Sequence, residues 1–303
     1  MSVFFGLLEN VLEEGLIYGI MAMGVYITYK ILDFPDLSVD GTFPLGACVT
    51  AALIASGANP YLACLAAFLC GSAAGAVTGL LHVRLKITDL LSGILTMTAM
   101  WSVNLVITNG SAVLPYYNKP TVFTSGFASL FPKGLRLHRI AVIAFLCVLI
   151  VKLALDWFLK TKTGLLLRSA GDNPQFLTSL AVDPGKIKIM GLAIGNGCTA
   201  LAGSVLSQQS ESADITSGTG MVVMALASVI IGTTIFKRVK FLKPTTMAVL
   251  GAAVYKACLS VAMMLGLPTN YLKLLMAVIF TAALYANNMF SKERRRQNAT
   301  IKL

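Results

Sequence analysis

Nine mostly apolar stretches, at roughly 8–29, 43–57, 60–81, 89–108, 140–159, 187–207, 221–236, 244–266 and 272–290, follow one another with few charges inside them; a stretch of roughly 20 such residues crosses a bilayer as a helix. The second and seventh are short. Charged residues make up 12% of the 303-residue chain and hydrophobic ones 56%. Soluble domains carry roughly 25% charged residues, so the polar surface here is too small to cover a soluble fold. In lipid the backbone must satisfy its own hydrogen bonds, and helices do so within one segment. The expected fold is all-α, a polytopic integral membrane helical bundle of about 8–10 spans, long enough in sequence to use residues 1–303 as one transmembrane domain.

The net charge of +11 is clustered rather than spread. Arg84 and Lys86 share one connection. Lys160, Lys162, Arg168, Lys186 and Lys188 surround another, Lys237, Arg238, Lys240 and Lys243 a third, and Lys292, Arg294, Arg295, Arg296 and Lys302 lie near the end. Alternate connections rich in Lys and Arg set orientation in a membrane. This argues for lipid contact and against a nucleic-acid surface. It puts the segment 161–186 and the basic tail 291–303, hence the C-terminus, in the cytoplasm, and the loop 109–139 outside. That outer loop carries Lys119, Lys133, Arg136 and Arg139, against the rule. The first residues are acidic, with Glu9, Glu13 and Glu14, and lack the basic start of a cleaved signal. The six cysteines stand singly in apolar segments and read as small hydrophobes.

One stretch, RSAGDNPQFLTSLAVDP at 168–184, looks like a surface helix of a soluble protein. Asn173 and Pro174 supply a cap and a proline at the first helical position. Pro184 and Gly185 are expected to stop it, leaving about ten residues or about 15 Å of helix. Phe176, Leu177 and Leu180 share one side. Such a helix either lies on headgroups or offers an apolar knuckle to a groove on a soluble partner.

A second stretch, DFPDLSVDGTFPLGA at 33–47, carries Asp33, Asp36 and Asp40 with two prolines and two glycines. It reads as a broken or re-entrant helix with Ser38 and Thr42 near a substrate path, or as a plain loop before a capped helix. The segment 208–234 ends in Ala225, Ala227, Ser228 and Gly232, small enough for close helix packing. Lys256 sits inside an apolar segment and needs a partner or water; Asp40 is one candidate. Lys152 and Asp156 are spaced to pair on one helix. The sequence contains no GxxxxGK[ST] loop, no HExxH and no clustered Cys/His, so catalytic and metal residues are expected to be none.

AGDNPQFLTSLAVDPGKIK resembles the cytoplasmic motif of bacterial ABC-importer permeases, in the branch that contains the branched-chain amino acid and ribose permeases. DLSVDGTFPLGA is similar to that branch's Leu-Ser-Val-Gly…Gly-Ala segment, and SADITSGTGMVVMALASVIIGTT to its Gly-x-Gly…Ala-x-Val-Ile-Gly-Gly segment. Asp40 replaces the glycine after Leu-Ser-Val, Thr233 follows Gly232, and Gln175 and Phe176 replace Glu-Ala. The resemblance implies a coupling helix shaped by Gly171, Asp172, Asn173, Pro174 and Gln175, with Phe176, Leu177 and Leu180 as its apolar knuckle. It implies a translocation path near Leu37, Ser38, Asp40, Gly41 and Thr42, to which the residue reading adds Lys256. ATP and Mg would be bound by two copies of a separate ABC ATPase subunit and not by this chain, which is then not itself an enzyme. A second permease copy and an extracytoplasmic substrate-binding protein would complete an importer of an amino acid or related solute, or a sugar or nucleoside, in the bacterial inner membrane. The second reading is an ion-coupled secondary transporter or channel that uses Asp40 and Lys256 as working charges.

Overall fold

The structure is a computed structural model that describes residues 2–126, 128, 138–239, 241–268 and 271–285. The basic tail 291–303 and part of the 109–139 loop lie outside the described residues. The described elements are α1 (Ser2–Val25), α2 (Val39–Ala55), α3 (Pro60–Arg84), α4 (Asp89–Ile107), β1 (Val113–Pro115), α5 (Arg139–Phe158), α6 (Lys162–Asp172), α7 (Pro174–Ser179), α8 (Pro184–Ser210), β2 (Ser212–Asp214), α9 (Met221–Ile235), α10 (Pro244–Met264) and α11 (Leu272–Tyr285). A π-helical stretch, Tyr26–Ile31, prolongs α1, and a 3-10 turn, Ile215–Gly218, precedes α9.

Each of the nine apolar stretches is helical over its described residues. Seven are long and apolar enough to cross a membrane, while Val39–Ala55 and Leu272–Tyr285 are shorter. The seventh stretch is longer than the sequence suggests. Its 3-10 turn extends it to Ile215–Ile235, a run of 21 residues.

Helix starts follow local chemistry. Asn59, Asn173 and Asp183 each precede a proline, and each side chain accepts a hydrogen bond from a backbone N–H just beyond it. The side chain satisfies a donor that the helix cannot, and proline occupies a position whose N–H would be idle anyway.

α8 is the central helix, with α1, α2 and α3 packed directly on it. α10 packs on α1 and α9, and α4 covers α2 and α3. With no hydrophobic drive between helices in lipid, close packing of small residues has to hold them. The expected small face of α9 does this: a Cβ on Gly232 would fall 1.9 Å from the Met247 carbonyl oxygen of α10. At one end of α8, β1 and β2 pair antiparallel (Val113 with Asp214, Leu114 with Ala213, Pro115 with Ser212). The Tyr116 hydroxyl, next to β1, meets Ser207 Oγ at 2.7 Å. At the other end of α8 lie α6 and α7.

Candidate functional site: a broken helix tied to a short surface helix

Between the π-helical stretch and α2 the chain turns back into the protein. Asp33 takes a left-handed conformation (φ 53°), and Pro35 has no N–H with which to continue a helix. The Phe34 amide returns a hydrogen bond to Thr28 O at 2.9 Å, and its buried ring meets His82 edge-on at 5.2 Å. Asp36 and Ser38 thereby reach Asn196, which is half-way along α8.

A closed polar cluster forms there. Asp36 accepts from the Ser38 amide at 2.9 Å, from Ser38 Oγ at 2.6 Å and from Asn196 Nδ2 at 2.6 Å. Thr42 Oγ1 donates to Asn196 Oδ1 at 2.7 Å. All four residues are buried. A carboxylate away from water needs donors around it, and the cluster supplies three. Asn196 is the hub, and the sequence reading overlooked it. The signal was an amide in the Gly195-Asn196-Gly197 run of an apolar span, where a polar side chain needs a protein partner.

Asp40 has a different task. Its carboxylate accepts from the Gly220 amide at 3.1 Å and the Val222 amide at 2.7 Å, so it caps the start of α9 from another helix. A negative charge there also suits the helix dipole. Pro44 leaves the Asp40 carbonyl without its helical donor, and Gly218 closes over that oxygen; a Cβ on Gly218 would come within 1.9 Å of it. Lys256 is not its partner. Lys256 Nζ donates to Glu14 and lies 5.9 Å above the Tyr18 ring. Among the candidate path residues, Ser38, Gly41 and Thr42 are buried, while Leu37 and Asp40 are half-buried.

The segment 161–186 folds as two helices. Asn173 Oδ1 accepts from the Phe176 amide at 3.3 Å. α7 then ends after six residues, not the ten expected, because Ala181 turns left-handed (φ 57°). The Val182 amide reaches Leu177 O and the Ala181 amide reaches Thr178 O, both at 3.0 Å. These two bonds close a Schellman cap, which needs a left-handed residue and here uses alanine. Pro184 starts α8 and does not terminate α7.

The apolar trio divides. Leu177 is fully buried beneath the helix, whereas Phe176 and Leu180 are half exposed above it. Asp172, Asn173, Pro174 and Gln175 are exposed. A recess of about 820 Å³ opens beside Pro174, walled by Pro35, His82, Lys86, Asp89 and Lys188. Gly171 touches the backbone of Ile31; a Cβ there would sit 1.8 Å from the Ile31 carbonyl oxygen. The surface helices therefore rest on the residue just before the broken segment.

Among the described residues no three His, Cys, Asp or Glu side chains gather to hold a metal ion. Of the six cysteines, all unpaired, Cys48 and Cys198 are buried while Cys70 and Cys258 are exposed.

Residues 7–284 match the family described as branched-chain amino acid transport system / permease component. The chain is 42% identical over 280 residues to the tyrosine transport system permease protein of Clostridioides difficile (strain R20291), covering 92% of this chain and 91% of that one. It is 27% identical over 230 residues to the ribose import permease protein of Escherichia coli (strain K12), covering 75% and 69%. No solved structure gives a significant match.

Proposed function

We propose that this chain, which belongs to the family of branched-chain amino acid transport system permease components, moves an amino-acid-type solute inward using ATP hydrolysed on a separate subunit. As an ABC permease component it is a multi-pass membrane protein; the solute, the energy source and the assembly are what we infer. The likeness to a tyrosine permease over nearly the whole of both chains supports an aromatic amino acid ahead of ribose.

The observation that carries this reading is the split of α7. Leu177 anchors a short capped helix while Phe176 and Leu180 are left uncovered at the surface. A soluble partner with a groove fits those two side chains. In the assembly we infer, two ATPase subunits grip α7 on two permease copies, with ATP and Mg bound on those partners. A substrate-binding protein delivers solute on the β1–β2 side, and the C-terminus is cytoplasmic in a bacterial inner membrane.

Movement of α7 would pass through α6 and the Gly171–Ile31 contact to residues 32–38. From there it reaches the Asp36–Asn196 cluster and the start of α2. Ser38, Gly41 and Thr42 then act by placing this segment, with Leu37 and Asp40 nearer the path. Lys256 serves the α1–α10 contact.

The test is uptake of labelled tyrosine by cells lacking the chain and complemented with it. Accumulation that needs ATP, is competed by aromatic amino acids and is absent for ribose supports the reading. Uptake driven by an ion gradient with no ATPase present overturns it in favour of an ion-coupled carrier.

A further inference from the structure

The C-terminal end of α5 carries an arrangement outside the coupling route proposed above. Ile150, Leu153 and Trp157 are all exposed, and their i, i+3, i+7 spacing sets them along one face of α5. Trp157, 72% exposed, ends this stripe. The connection between α9 and α10 meets this end of α5 through Lys243 and Thr245. Asp156, beside Trp157, accepts from Lys243 Nζ at 2.9 Å, Thr245 Oγ1 at 2.6 Å and Lys152 Nζ at 3.1 Å, which pins the loop to α5. Phe241 in that loop is 94% exposed. Lys160, Lys162 and Lys237 are exposed at the same end, and among the described residues no carboxylate pairs with them.

We propose that the last turn of α5 and the α9–α10 loop form a binding site for the headgroup of an anionic phospholipid. Trp157 and Phe241 lie in the headgroup–acyl boundary, where aromatic rings are most at home in a membrane. Lys160, Lys162 and Lys237 face the phosphate, drawn by the negative surface of the leaflet. The continuity of Trp157 with an apolar stripe about two turns long favours lipid over free phosphate. It also favours lipid over a soluble protein, which would need a groove for an isolated Phe241.

The chain has two tryptophans, so Trp101→Phe leaves Trp157 as the sole reporter. This variant would be reconstituted in phosphatidylcholine vesicles containing equal fractions of brominated phosphatidylglycerol or brominated phosphatidylcholine. Quenching by the anionic lipid should exceed that by the zwitterionic one by about twofold. Adding Lys160→Gln, Lys162→Gln and Lys237→Gln should remove the excess while leaving quenching by phosphatidylcholine. Equal quenching by the two lipids overturns the headgroup preference. No quenching by either means that protein covers Trp157, and it overturns the site altogether. Loss of the excess on adding inorganic phosphate would assign the lysines to a free anion instead.

Discussion

Single residues in this chain do work that their type alone does not announce. Asp40 looks like a membrane-embedded working charge, yet it caps α9 from the first turn of α2. Its partners are backbone amides on a segment far along the chain, which no local pattern encodes. Lys256 likewise finds Glu14 rather than Asp40. Asn196 was legible in principle, as a lone amide among glycines in a span, but its significance depends on Asp36, Ser38 and Thr42 arriving beside it. Replacing Asn196 by Ala should leave Thr42 and Asp36 short of partners. The expected cost is on the order of 1–3 kcal/mol, read as a lower melting temperature in detergent together with reduced uptake. Gly171→Ala tests the contact between α6 and the broken segment. Its Cβ would overlap the Ile31 carbonyl, so the backbone there must shift. Overpacking of this kind costs roughly 1–3 kcal/mol, and uptake should fall even though the substitution touches neither α7 nor the polar cluster. Wild-type uptake by Gly171→Ala would remove this contact from the coupling route.

At the scale of the element, caps were readable and lengths were not. The Asn173-Pro174 start of α7 follows from side-chain and proline chemistry. Its end does not, because alanine seldom takes the left-handed position that closes a Schellman cap, and Ala181 does so here. The stop expected at Pro184 belongs to the start of α8. The early stop places Leu180 at the cap and leaves it half exposed, while Leu177 faces down. Two leucines three residues apart should therefore behave oppositely. Leu177→Ala removes a buried side chain and should destabilise by roughly 2–5 kcal/mol. Leu180→Asp changes a half-exposed cap position, where a carboxylate opposes the helix dipole, and should cost no more than about 1 kcal/mol, while abolishing ATP-driven uptake. Thermal unfolding of the two variants beside their uptake separates these outcomes. A large stability loss in Leu180→Asp, or full transport by it, would contradict the placement of α7.

For the molecule as a whole, the nine apolar helices among the described residues were legible because lipid leaves the backbone few choices. What composition could not show was how they are arranged. α8 is central because its glycines, alanines and serines let α1, α2 and α3 come close. The return of residues 32–38 to the middle of α8 was suggested by the prolines and glycines of the 33–47 stretch, but its depth is set by Asn196 on a distant helix. The missing phosphate loop and the uncovered Phe176 and Leu180 are what the proposed function joins, with nucleotide chemistry on a partner that would hold α7. The most direct measurement is recovery of the tagged full chain from its own cells in mild detergent, with copurifying subunits identified and counted. The account predicts an ATPase subunit in equal number with the permease, lost in Leu180→Asp and retained in Lys237→Gln. Recovery of the chain without an ATPase, with ion-driven uptake after reconstitution, would contradict it.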